Sequence, residues 1–410
     1  MKIAVIGAGI SGLTTAHHLR DRAEVVVFEA KGRIGGNIQT EEFAGCLVEW
    51  GPNGFLDNEP ATLQLVEELG LTPRLVRARS EAQVRYVWRD GRLRELPAKP
   101  PQFLTSDCLP FAARVRVLLE PFARKPPGDD ESVYDFAARR IGAGAADVLV
   151  DAMVTGIFAG DPHRLSVRSA FPKLHALEAK YGSLIRGSKG RGFGPTGTLT
   201  SFDEGLEVLL QELAKGLDVR LNADLGSLPE GFDHVVCTVP APRAAELLPA
   251  DLAPFLRRIP GGPVAVVALI YQRPVDVPDA FGFLVPRQQG LRILGTLYDS
   301  SIFPGRAPAG HRLFRTLIGG RRDPGAVELD DDELLEVAAR DLRRAWGSFP
   351  DPDATRVIRH PLGISQYEIG HGQLLAELES RRPPWLRLAG SSYRGVALNA
   401  CIKDARDWAP

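Results

Sequence analysis

The chain has 410 residues, 44% of them hydrophobic and 25% charged, with a net charge of −1. That length accommodates two or three domains with a sizeable core, and the charge balance excludes a global attraction to nucleic acid or anionic lipid. Four cysteines without CxxC spacing and eight histidines without HExxH grouping give no disulfide framework and no metal site, and no apolar run reaches the roughly 18–20 residues of a membrane span.

Lys2 to Ile6 is a short apolar run, the pattern of a buried parallel strand. With a strand starting at Lys2, no signal peptide is expected ahead of it, and a reducing cytoplasm suits the scattered thiols. The strand enters Gly7, Ala8, Gly9, Ile10, Ser11 and Gly12, a GxGxxG turn, followed by a predicted helix over Leu13–Leu19 and a second buried strand over Glu24–Glu29. Gly7 permits the tight turn, Gly9 lets a pyrophosphate approach the backbone, and Gly12 lets helix and strand pack closely. The positive end of the helix favours the phosphates. Glu29 ends the second strand, where its carboxylate can accept from ribose hydroxyls. Strand, turn, helix, strand and terminal acid in register predict a dinucleotide site. Two further glycine turns follow, Ala30 to Asn37 and Glu49 to Phe55.

Asn58-Glu59-Pro60 is expected to cap a helix ending at Gly70. Asp90-Gly91 between Val84–Trp88 and Leu93–Leu96 is a hairpin signal, and a different domain begins near residue 80. Residues 97–190 read mainly as helix. From Pro110 to Arg124 the residues Phe111, Val115, Leu118, Leu119 and Phe122 form one apolar stripe, with Arg114, Arg116 and Arg124 among the other positions. Such a helix more commonly packs on its own domain than lies in a membrane interface, and both readings stay open. Val133–Ile141 and Ala143–Val154 are further helices, the latter leading into Gly156-Ile157-Phe158-Ala159-Gly160-Asp161. Arg186–Gly197 reads as a mobile connector. A helix over Leu206–Leu213 and strands at Val219–Leu221 and His234–Thr238 return to α/β grammar, so the nucleotide domain is discontinuous. Strand signals dominate Gly262–Ile318, at Val264–Tyr271, Phe281–Val285, Ile293–Leu297 and Phe314–Ile318. A helix over Asp331–Trp346 precedes a strand at Thr355–Arg359, in an α+β block whose sheet suits the roof of a ligand cavity. Trp385–Gly390 is a last strand and Val396–Trp408 a last helix.

Four stretches now converge: the GxGxxG turn with Glu29, Arg33-Ile34-Gly35-Gly36, Glu49 to Phe55, and Leu388-Ala389-Gly390 with Gly395 to Ile402. Together they resemble the flavin amine oxidase superfamily. Thr155 to Asp161 and Phe281 to Pro286 resemble, more narrowly, its oxygen-dependent, FAD-binding protoporphyrinogen and coproporphyrinogen oxidases. The resemblance implies an α/β plus α+β fold. It comprises a discontinuous Rossmann-type FAD-binding domain (1–80, shortened 198–262, and 381–410), a mixed-sheet substrate domain (263–380) and a helical, membrane-associating and substrate segment (81–190). It also implies non-covalent FAD held by the GxGxxG residues, Glu29, Ala30, Arg33, Gly36, Asn37, Gly51, Pro52, Asn53, Gly54, Val219, Val396, Ala397 and Leu398. Cys401, a covalent attachment point in some amine oxidases, reads instead as a buried thiol.

The implied reaction is oxidation of a porphyrinogen to a porphyrin in haem biosynthesis, with dioxygen reduced to hydrogen peroxide. A porphyrinogen is a wide apolar disc with carboxylates at one edge, and the resemblance assigns its slot to Gly156, Ile157, Phe281, Leu284 and Leu317. It pairs Arg85 with a propionate, although by itself Arg85 reads as a surface hairpin arginine. No side-chain base is assigned, since flavin does the chemistry. Arg168, Lys173 and Arg287 are candidates for extra carboxylates. Peripheral membrane contact and a homodimer are compatible with the resemblance, and nucleic acid is not expected as a partner. Alternatives from other classes are a tetrapyrrole-binding protein without turnover and a flavin amine oxidase. Two departures weigh on FAD affinity and domain stability: only Asn222–Asp233 remains where relatives carry a longer meander, and Asn399-Ala400 replaces the usual Asn-Asp, with the final helix clipped at Pro410.

Overall fold

The computed structural model describes residues 1–97, 105–124, 128–188, 197–347 and 349–408. Residues 189–196, the greater part of the expected connector, and 98–104 of the expected helical stretch lie outside them. The chain divides into two bodies, one of Met1–Ala78, Thr196–Gly261 and Gln373–Pro410, the other of Arg79–Pro195 and Gly262–Gly372.

The first body is built on a five-stranded sheet in the order Asp218–Arg220, Glu24–Phe28, Lys2–Ile6, His234–Cys237, Leu386–Leu388. All four pairings are parallel. Its strands are apolar at successive positions because both faces are covered. Ile3, Val5, Val25, Val27 and Val236 pack with the helices Ile10–Leu19, Glu207–Ala214 and Leu398–Arg406. Ala4, Ile6, Val26, Val235 and Cys237 face the other way, with the helices Ala241–Leu247, Ala253–Leu256 and His371–Arg381. Each such buried aliphatic contributes roughly 1.5–3 kcal/mol. A hairpin, Thr40–Phe43 with Cys46–Glu49, and a three-stranded sheet of Phe55–Leu56, Leu199–Phe202 and Leu75–Arg77 complete this body.

The second body carries a seven-stranded sheet in the order Ala354–Ser365, Gly261–Tyr271, Arg312–Gly319, Ile293–Leu297, Gly282–Leu284, Arg85–Arg89, Arg92–Glu95. One face, with Ala265, Val267, Phe283, Phe314, Ile318 and Trp88, is covered by the helix Asp331–Trp346. That helix starts with a reciprocal capping box between Asp330 and Glu333. Among the described residues no helix is long and apolar enough to cross a membrane, and no cluster of His, Cys, Asp and Glu suits a metal.

Several elements differ from expectation. The helix expected over Pro110–Arg124 runs only from Phe111 to Leu118, followed by a 3-10 turn at Glu120–Phe122. Pro121 lacks an N–H to continue the helix, and the Glu120 side chain turns inward to hydrogen bonds. The helical stretch from Ala143 does not stop at Val154 but continues through a wider turn at Ala146–Val150 to Phe158. Gly156 and Ile157 therefore sit on a helix rather than in the loop after it, and the chain leaves at left-handed Ala159. The cap of the helix Pro60–Glu68 falls on Glu59, with Pro60 as first residue and no side-chain cap bond. The last helix spans Leu398–Arg406, so Val396 precedes it and Ala397 is its N-cap.

Candidate functional site

In the first body the glycine turn is fixed from three sides. The Gly7 N–H donates to the Phe28 carbonyl (2.8 Å) and the Gly35 N–H to the Ala8 carbonyl (2.8 Å). The Thr238 hydroxyl, at the end of a neighbouring strand, donates to the Ile6 carbonyl at 2.9 Å. Glu29 is buried, and its carboxylate accepts from the N–H of Ala8 (2.8 Å) and of Lys31 (3.0 Å). A carboxylate has about four acceptor positions, so capacity remains for ribose hydroxyls. The helix begins at Ile10 without any side-chain cap, leaving its first N–H groups for a ligand. A Cβ on Gly9 would meet no heavy atom within 4 Å, which marks open space over the turn, whereas one on Gly12 would collide with the Gly7 carbonyl oxygen.

The basic loop folds back on itself. Arg33 donates to the carbonyls of Ile34 (3.0 Å) and Gly36 (2.9 Å) and lies over the Trp50 ring at 5.3 Å. A Cβ on Gly51 would strike the Asn37 carbonyl, which brings the Asn37 and Gly51-Pro52-Asn53-Gly54 turns together. Both amide atoms of Asn53 are buried without a hydrogen-bond partner. An orphaned amide beside an open glycine turn fits a polar cofactor running along this groove. Val219 sits in the edge strand opposite Val27, and Ala30 follows Glu29 at the end of that neighbouring strand. The last helix is pinned by Asn399, which donates to the Leu56 carbonyl (2.8 Å) and accepts from the Thr62 hydroxyl (2.9 Å). Asn399 thus holds without an acidic neighbour. Cys401 is buried and its thiol is pushed up to about 11 by burial.

In the second body the sheet face opposite the helix Asp331–Trp346, on which Leu109, Ala145, Val148 and Ala152 pack against Val87 and Leu284, carries several of the other candidates. Gly282 is paired with Arg85, and Leu284 with Val87 on one side and Gly295 on the other. Gly295 in turn pairs with Leu317. Leu284 and Leu317 therefore lie on one face two strands apart, with a glycine between them. The Arg85 guanidinium stands 4.7 Å above the Phe281 ring, a cation–π contact. A Cβ on Gly156 would approach Leu284 Cδ1 at 3.0 Å, so helix and sheet touch there. Ile157 is 44% exposed. Arg168 and Lys173 are exposed. Arg287 reaches Asp161 (3.2 Å) and Asp151 (3.4 Å).

Sequence reasoning missed Thr238 and Gln366. Thr238 follows a strand of the nucleotide sheet, the edge at which such folds bind ligands, and that position was its available signal. Gln366 donates to the Phe158 carbonyl at 2.8 Å and steadies the Gly156 helix from 208 residues away. No local pattern marks it.

The profile of the flavin-containing amine oxidoreductases matches residues 10–409. A chloroplastic protoporphyrinogen oxidase of Oryza sativa subsp. japonica is 34% identical, over 98% of this chain and 86% of its own. The coproporphyrinogen III oxidase of Bacillus subtilis is 28% identical, over 98% and 96%. A crystal structure from Exiguobacterium sp. 255-15, provisionally named a protoporphyrinogen oxidase, superposes with a TM-score of 0.88 at 24% identity, covering 99% and 97% of the two chains. The glycine turn, the Glu29 strand end and the orphaned Asn53 amide suit the cofactor of that profile. The chain belongs to the flavin-containing amine oxidoreductase family, in the group that includes protoporphyrinogen and coproporphyrinogen III oxidases, and is an FAD-dependent oxidase.

Proposed function

We propose that the protein oxidises protoporphyrinogen IX or coproporphyrinogen III to the corresponding porphyrin in haem biosynthesis, with dioxygen as final acceptor. The observation that carries this reading is the sheet face of the second body. There Leu284 and Leu317 form an apolar strip, the Gly156 helix packs closely on Leu284, and Arg85 rests on Phe281 as a cation at its margin. An apolar disc with peripheral carboxylates needs those two features together.

In this reading Gly7 to Gly12 and the uncapped helix at Ile10 cradle the pyrophosphate, and Glu29 with Ala30 takes the adenosine ribose. Val219 contacts the adenine. Arg33, Gly36 and Asn37, with Gly51, Pro52, Asn53 and Gly54, hold the rest of the cofactor. The N–H groups of Val396, Ala397 and Leu398, at the positive end of the last helix, stabilise negative charge on it. Bound FAD supplies the two-electron acceptor. The residues of the second body orient the substrate: Arg85 pairs with a propionate, while Ile157, Phe281, Leu284 and Leu317 exclude water from the ring.

Anaerobic mixing with each porphyrinogen tests the reading, since the yellow flavin absorbance should bleach and return when air is admitted, with release of hydrogen peroxide. A preparation that binds porphyrin but never bleaches would identify a tetrapyrrole-binding protein. Bleaching by primary amines alone would identify an amine oxidase.

The stripe on the Phe111–Leu118 helix supports peripheral membrane contact as part of this proposal. Phe111 is 73% and Phe122 79% exposed, and Val115, Leu118 and Leu119 are exposed beside them. Cosedimentation with phosphatidylserine vesicles should be lost in Phe122→Asp. A stripe that instead mediates a homodimer would make the same variant monomeric without any vesicle binding in the parent.

A further inference from the structure

The second body has a cleft of about 320 Å³ lined by Arg287, Gln288, Leu291, Arg292, Arg322 and Asp323. Its three guanidinium groups are not equally neutralised. Arg292 pairs with Asp323 at 2.6 Å. Arg287 pairs with Asp161 and Asp151 and also donates to the Gly160 carbonyl at 3.2 Å. Arg322 donates instead to two main-chain carbonyls, those of Val285 (2.8 Å) and Ile293 (2.6 Å). Among the described residues no carboxylate forms an ion pair with it; Asp151 and Asp323 act on it only at longer range. Burial pushes its guanidinium down to about 10, still charged at neutral pH. Two carbonyls use only part of a guanidinium's five N–H donors. A largely desolvated cation without a counter-charge is costly, and it lines a cleft with room for an anion.

We propose that this cleft binds a carboxylate, with Arg322 as the anchoring cation and Arg287 as the second. The cleft starts where the proposed substrate wall stops. Leu284 is followed by Val285, whose carbonyl holds Arg322, and by Arg287 two residues further on. The Arg287 N–H donates to Asp151 at 2.5 Å, and Asp151 begins the helix that carries Gly156. Gln288 at the rim has a left-handed backbone, φ +61°. Such strain persists where surrounding contacts enforce it. The Trp88 indole, donating to the Gln289 carbonyl at 2.9 Å, and the Asp90 N–H, donating to the Gln289 side chain at 3.1 Å, supply two of those contacts. The carboxylate has two sources: an additional propionate of a porphyrinogen, in which case the inference rests on the function proposed above, or a free carboxylate from solution.

Equilibrium titrations of the FAD-loaded protein with coproporphyrin III, protoporphyrin IX and citrate separate these. Coproporphyrin III carries more propionates, and the expected result is tighter binding of it than of protoporphyrin IX. Arg322→Lys and Arg287→Gln should each weaken coproporphyrin III by roughly 10- to 100-fold, the range for a lost charge-assisted hydrogen bond, and leave protoporphyrin IX unchanged. Asp323→Asn, which removes a negative charge without removing a donor, should move affinity the other way, by about threefold to tenfold. Because it strengthens binding, misfolding cannot mimic it. Citrate binding with the same variant order, and no difference between the porphyrins, assigns the cleft to a free carboxylate. If no porphyrin binds but citrate does, the substrate reading fails while the cleft stands. Indifference of all three ligands to all three substitutions overturns the proposal.

Discussion

Gly9 and Gly12 lie three residues apart and do opposite things. A side chain at Gly12 would run into the Gly7 carbonyl, so Gly12→Ala should destabilise the flavin-free protein and lower its flavin content together. Space above Gly9 is open on the protein side. Gly9→Val should leave the melting temperature of the flavin-free protein within a few degrees of the parent while flavin per protein falls steeply. A matching loss of apoprotein stability in Gly9→Val would show that the space is not a cofactor groove. In the second body, Arg85→Ala removes the cation above Phe281. The KM for porphyrinogen should rise roughly 10- to 100-fold, as for loss of a hydrogen bond to a charged group, with flavin content unchanged. Equal losses of substrate and flavin binding would remove Arg85 from its assigned role.

At the scale of elements, the helical part of the second body is locked by a buried ionic network. Glu120 is 0% exposed and accepts from the Ser183 hydroxyl (2.6 Å), the Leu184 and Ile185 N–H groups and the buried Arg140. Arg140 continues to Glu178 (3.0 Å) and the Gly182 carbonyl (2.9 Å). Arg140→Ala would strand Glu120, at a cost of about 3–5 kcal/mol, measurable by urea unfolding. Burial alone would raise the Glu120 pKa, but these donors outweigh it and hold the carboxyl below the ordinary glutamate value. The folded value is the lower one, so this contribution to stability is complete above an unfolded-state pKa of about 4.3. It fades as pH falls through the folded value. Glu120→Gln should flatten that acid limb of the stability profile; an unchanged limb would assign it to other carboxylates.

The same network explains what sequence could not disclose. The first parallel strands are legible because Ile3 to Ile6 and Val25 to Phe28 are apolar on both faces, a local property. The Glu120 carboxylate is solvated in a sequence reading, because its partners lie 20 and 63 residues away. Pro121 beside it signals a break in the helix, but nothing near it says that the Glu120 carboxylate turns inward there. Likewise the helix Ala241–Leu247 hides behind Pro240 and Pro242, residues that read as a loop although proline is well suited to a helix's first turn. For the candidate site, the glycine turn and Glu29 were visible as motifs. The convergence of Leu284, Gly295 and Leu317 is a product of strand register and became visible only with the sheet.

The whole chain closes its first body from three separated segments, with Leu386–Leu388 and Leu398–Arg406 returning to a sheet begun at Lys2. The stretch Asn222–Asp233 ties in at both ends. The Asn222 N–H donates to the Lys31 carbonyl at 3.0 Å, the Ala223 N–H to the Glu29 carbonyl at 2.8 Å, and the Asp233 N–H to the Lys2 carbonyl at 2.9 Å. These bonds keep the start of the first strand and the end of the second in place. Cofactor binding should therefore be linked to the stability of the folded chain. A ligand that binds only the folded state stabilises by about 2.7 kcal/mol at a hundredfold excess over its Kd. Calorimetry of the flavin-free protein with added FAD should move its unfolding transition upward with FAD concentration. A profile with no concentration dependence would mean that the Gly7–Gly12 turn does not hold FAD.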